Sequence, residues 1–166
     1  MDKSYFRHLA RYNRWANDRL YAACAALPEA DLVKARPSFF GSILATLNHI
    51  LVGDRLWMGR FEGKPAKDIV SLGQILHPDF EGLRAARQAF DDHIVGWFDQ
   101  WDAHLDQPFA YRTMSGDAME TPLGLTVAHF FNHGTHHRGQ VHGLLSATEV
   151  EPPPLDLLYF VRDGQA

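Results

Sequence analysis

Residues 128–143 read AHFFNHGTHHRGQVHG, and the spacing of their histidines points to the fold. An α-helix turns about 100° per residue, so side chains four apart stand nearly above one another. On such a helix His129, His133, His137 and Gln140 share one strip, and His136 lies at its margin. His142 falls on roughly the opposite side from His133. Two imidazoles one turn apart can converge on a single metal ion. A pair on one helix of a bundle needs further ligands from a facing helix. His129–His133 and His133–His137 have the same spacing, so geometry alone leaves the pair open.

Outward from this stretch, Thr121-Pro122 offers an N-cap followed by proline at the first helical position. Pro152-Pro153-Pro154 forbids continuation, so a helix is expected from there to about Ala147. Upstream, the alternation of Phe109, Tyr111 and Thr113, with turn chemistry at Ser115-Gly116-Asp117, predicts a short β-hairpin. A helix from near Pro78 to about Leu105 carries its core face on Phe80, Leu83, Phe90, Ile94, Trp97 and Trp101. Another, Ser42 to Phe61, has its stripe on Ile43, Leu47, Ile50, Trp57 and Phe61, with Gly63 and Pro65 closing it. The first helix spans about Ser4 to Leu27. Its apolar positions Tyr5, Leu9, Tyr12, Ala16, Leu20, Ala23 and Leu27 recur at steps of three and four. Residues 28–41 and 64–77 read as irregular, and the tail Leu155 to Val161 packs back on the bundle. The expectation is an all-α, single-domain four-helix bundle over residues 1–166, with a short hairpin before the last helix.

The bulk properties agree. The chain has 166 residues, 46% hydrophobic and 22% charged, enough to bury a core without metal or disulfide staples. A net charge of -4 with no basic block leaves phosphate-driven nucleic-acid binding without a footing. The lone Cys24 cannot form an internal disulfide, and the charged start MDKSYFRHLARYNRW does not read as a signal peptide. No apolar run has membrane-spanning length, so a cytoplasmic protein is expected.

His49, within TLNHILVGDRLW, is the candidate ligand on the second helix, beside the small residues Ser42, Thr46 and Gly53. Asp54 falls on that helix's apolar stripe, where an unpaired carboxylate is costly. It is therefore a catalytic base, a hydrogen-bond acceptor behind a metal ligand, or half of a buried ion pair with Arg138 or Arg14. Gln140 is a candidate for orienting a metal-bound water, for donating a hydrogen bond to a group that holds the metal, or for a hydrogen bond across helices. Cys24 reads as a small buried apolar residue, and Trp15, Trp57, Trp97 and Trp101 as core.

Together TLNHIL…GDRLW and FFNHGTHHRGQ resemble the DinB/YfiT-like family of bacterial four-helix-bundle metalloproteins. The likeness extends to the early RYNRWAN, the hairpin and the proline-rich exit. By resemblance the metal ligands are His49, His133 and His137, which resolves the register against His129. The resemblance also implies one divalent ion, Ni2+ or Zn2+, and a homodimer. Some relatives are transferases or isomerases that use a low-molecular-weight thiol. Three imidazoles leave ligand positions open on the ion, which favours a metal-dependent enzyme acting on a small molecule. The alternative is a non-catalytic metal-binding stress-response protein; an apolar pocket beside the metal distinguishes the two. A di-iron carboxylate bundle is excluded, because the required Glu and Glu-x-x-His set is missing.

Overall fold

Asp2 starts the first helix. Its side chain accepts the Tyr5 N–H at 3.0 Å, and α1 runs over Lys3–Cys24. In the computed structural model, which describes residues 2–164, there follow the short α2 (Glu29–Val33), α3 (Ile43–Phe61) and α4 (Phe80–Gln100). The hairpin strands β1 (Pro108–Arg112) and β2 (Ala118–Pro122) precede α5 (Leu123–Leu145) and the short α6 (Leu157–Arg162). Ser42 and Asp79 cap α3 and α4 in the same way as Asp2 caps α1, each accepting a first-turn N–H. Such caps are worth about 1 kcal/mol apiece. The four long helices form a ring in which α1 packs on α4 and α5, and α3 packs on α5 and α4. None of the described helices is long and apolar enough to cross a membrane.

The core is layered. One apolar end gathers Leu20, Cys24, Ile43, Leu47, Leu83 and Leu145; the other gathers Phe6, Met58, Ile94, Phe98, Val127 and Phe130. Between them lies a buried polar layer of Asn13, Asn17, Asp54, Arg87, Asp91 and Arg138. Arg87 donates to Asp54 Oδ2 at 2.7 Å and pairs with Asp91, one turn along α4, at 2.8 Å. Asn13 and Asn17 donate to the Asp91 carboxylate, and their carbonyl oxygens accept from Arg138. Two guanidinium groups thus face two carboxylates, and the layer carries no net charge.

That layer corrects the expected faces. Asn13 and Asn17 turn inward, so Phe6 is fully buried while Tyr5 stays 42% exposed. Arg87 fills the gap left between Leu83 and Phe90 in the expected stripe of α4. Several boundaries also differ. The first helix stops at Cys24, and α2 occupies part of the segment expected to be irregular. α4 ends at Gln100 because Trp101 turns to extended backbone, and Arg7 of α1 donates to the Phe98 and Trp101 carbonyls. Thr121 lies in β2, and Pro122, expected inside the helix, is the N-cap residue of α5 and offers no side-chain cap. The first N–H groups of α5, on Leu123 and Gly124, donate instead to the carbonyls of Gln107 and Leu105. The hairpin stands where expected, with Tyr111 opposite Met119. The tail packs back through Phe160, which meets Tyr12 and Trp15 edge-on, and through the Tyr12 hydroxyl on the Leu155 carbonyl.

Candidate metal centre

Along the seam of α3 and α5, His49, His133 and His137 turn their Nε2 atoms toward one point. His49 Nε2 lies 3.3 Å from His133 Nε2 and 3.1 Å from His137 Nε2. Bonds of about 2.0–2.1 Å from two imidazoles to one ion put the nitrogens about 3.0 Å apart at a right angle, and about 3.3 Å apart at a tetrahedral angle. The observed separations fall in that range, so the site fits a metal ion.

Neighbouring groups set the tautomers. A carbonyl oxygen can only accept, so the Leu72 carbonyl, 2.8 Å from His49 Nδ1, places the proton on Nδ1 and frees the Nε2 lone pair. The Gln140 side-chain oxygen does the same for His137, accepting Nδ1–H at 2.8 Å, while its amide nitrogen donates to His136 Nε2 at 3.2 Å. Two lone pairs therefore face each other at 3.1 Å, an arrangement that a shared cation relieves. Hydrogen bonds of this kind orient metal-binding histidines. Burial, reinforced by neighbouring imidazoles, pushes His133 down to about 3. Burial also lowers His49 and His137, so all three rings stay neutral near pH 7.

The elements that frame the site come from both helices and two loops. Phe40 stacks on His49 with ring centroids 3.9 Å apart and meets His137 edge-on. Asn48, next to His49, holds the loop that carries Leu72: its oxygen accepts the N–H groups of Leu76 and His77. Gly53 lies flush against the His133 ring. Gly53 was legible as a small neighbour of His49. Leu72, acting through its backbone, left no sequence signal, and neither did Phe40. His129 is not in the cluster; its ring packs edge-on against Trp57 at 5.2 Å. Asp54 lies in the buried layer with Arg87, so the ion-pair alternative describes it, with Arg87 in place of Arg138 or Arg14. Arg14 instead pairs with Asp92 at the surface.

On the hairpin side, the triad opens into a cleft of about 580 Å³ lined by His49, His133, Trp57, Arg60, Tyr111 and Met114, among others. A bundle with this histidine cluster has counterparts among known sequences. Protein DinB of Bacillus subtilis (strain 168) is 28% identical over 154 residues, covering 89% of this chain and 88% of that protein. Residues 1–164 match the DinB family, essentially the whole bundle including both helices that carry the triad, and the chain belongs to that family.

Proposed function

We propose that the protein holds one divalent ion, Ni2+ or Zn2+, through His49, His133 and His137 and is a metal-dependent enzyme acting on a small molecule. The observation that carries this reading is the cleft of about 580 Å³ that begins at two of the three histidines. Its size falls in the ordinary range for small-molecule sites. A sequestering protein has no use for such a cleft and would be expected to cover its ion with side chains. Phe40 packs against His49 and His137, while His49 and His133 line the open cleft.

An ion held by three protein ligands supplies a Lewis-acidic position for a substrate atom or a thiol sulfur. The chain's own residues do the rest. Leu72 and Gln140 hold two of the ligand rings in the coordinating tautomer, while Trp57, Tyr111 and Met114 provide an apolar wall. The chemistry that suits this arrangement is transfer or isomerisation assisted by a low-molecular-weight thiol, in a homodimer.

The test is metal content by elemental analysis, followed by turnover assays of the loaded protein with small electrophiles and a panel of thiols. One ion per chain, lost to a chelator with the helical signal unchanged, is the expected result. No bound ion, or a bound ion with no thiol consumed by any electrophile, would sink the corresponding half of the proposal.

A further inference from the structure

Arg60 is the arginine that lines the cleft beside the triad. It lies near the end of α3, and its guanidinium carbon sits 4.5 Å over the Trp57 ring and 5.5 Å over the Tyr111 ring. Among the described residues it makes no ion pair and donates no hydrogen bond. The other arginine near this end, Arg112, is committed to the hairpin turn, donating to the Gly116 carbonyl at 2.7 Å. The two rings flank the Arg60 guanidinium, which lines the cleft with no hydrogen-bond acceptor for its N–H groups among the described residues.

Charge supports a ligand for those N–H groups. The chain as a whole is acidic, with 20 Asp and Glu against 16 Lys and Arg. Yet among the described residues no carboxylate lines the cleft beside the triad. None lines the adjoining pocket of about 650 Å³ either, which shares Leu56, Arg60, Tyr111, Thr113 and Met114 with it. An oriented, unpaired guanidinium in a cleft free of carboxylates attracts and holds an oxyanion.

We infer that Arg60 determines specificity in this cleft by binding a carboxylate or phosphate group on a small substrate whose other end reaches the three histidines. The inference rests on the function proposed above for its reacting end, but anion binding at Arg60 is measurable by itself. The substrate class is a small acid with an apolar body, since Trp57, Tyr111, Leu56 and Met114 form the surrounding wall.

Calorimetry on chelated, metal-free protein with benzoate, phenyl phosphate and neutral benzamide tests this directly. At least one of the two anions should bind about tenfold tighter than benzamide, and the winner identifies the group. Arg60→Gln should bring the anion affinity down to that of benzamide measured in the same variant, and Arg60→Lys should restore part of the preference. Circular dichroism checks that both variants fold. Equal binding of all three probes, or a preference that survives in Arg60→Gln, overturns the inference. An anion preference seen only in metal-loaded protein and independent of Arg60 does the same, because the ion is then the receptor. A protein that binds no divalent ion yet keeps an Arg60-dependent preference overturns the function proposed above and leaves this inference standing.

Discussion

Gly53 of α3 and His133 of α5 are so close that a Cβ at position 53 would stand 2.6 Å from His133 Cε1 and 3.1 Å from its Nδ1. The imidazole has no room to retreat without leaving the cluster. Gly53→Ala should therefore swing His133 away and lower metal affinity by about 10–100-fold, the scale of losing a ligand's correct orientation. Alanine's higher helix propensity, about 1 kcal/mol, offsets part of the cost of displacing the ring, so the unfolding midpoint of metal-free protein should fall only slightly. Competitive titration against a metal indicator reads the first effect. Wild-type affinity in Gly53→Ala would show that the ring position is not what Gly53 serves.

His137 and His129 each lie one turn from His133, and substitution separates their roles. His137→Ala should weaken metal binding by more than the about 100-fold that outer partners contribute, as should His49→Ala. Gln140→Ala removes only the acceptor that orients His137, so a loss of about 10–100-fold is expected. His129→Ala, whose ring leans on Trp57, should keep the ion. The reverse pattern, with His129 essential and His137 dispensable, would mean that the register read from the cluster is wrong.

Asp54 and Arg87 are 2% and 1% exposed, and their contact closes a charge-balanced layer. Removing one partner leaves an uncompensated buried charge, so Asp54→Ala should destabilise the fold by about 3–5 kcal/mol. The loss should be the same with and without bound metal, because the layer makes its contacts inside the bundle. Urea unfolding of both forms measures it. Loss of turnover at unchanged stability would point to a chemical role for Asp54 instead.

Burial pushes the Cys24 thiol up to about 12, and the side chain is fully covered. A folded-state value above the ordinary one means that the thiolate, the reactive form, stays scarce until the pH nears 12. Native protein should therefore react with a disulfide reagent such as DTNB only as fast as it unfolds. Between pH 7 and 9.5 no inflection near the ordinary thiol value is expected. A fast native reaction with its midpoint near pH 8.5 would contradict the burial.

The histidine spacing of residues 128–143, the four long helices and the hairpin were legible in the sequence because each depends on neighbours within a few turns. His49, His133 and His137 could be named, the last over His129 on resemblance rather than on geometry. The buried layer was legible only at Asp54, a carboxylate on an apolar stripe. Asn13, Asn17, Arg87 and Arg138 score as solvent-facing in any periodicity, and only partners on other helices make their burial tolerable. The same limit hid Leu72, whose backbone carbonyl carries no residue-type signature, and Arg60, whose freedom follows from what surrounds it.

What the sequence by itself determined is therefore local: where helices form, which face carries histidine, and that α5 offers two equivalent pairs. Tertiary structure chose between the pairs. α3 brings His49 opposite His133 and His137, with Gly53 making room for the His133 ring, while Trp57, two turns further along α3, fills the space against His129. The physical reason is that identical spacing on one helix gives identical local geometry, and only the side chains of the facing helix break the tie.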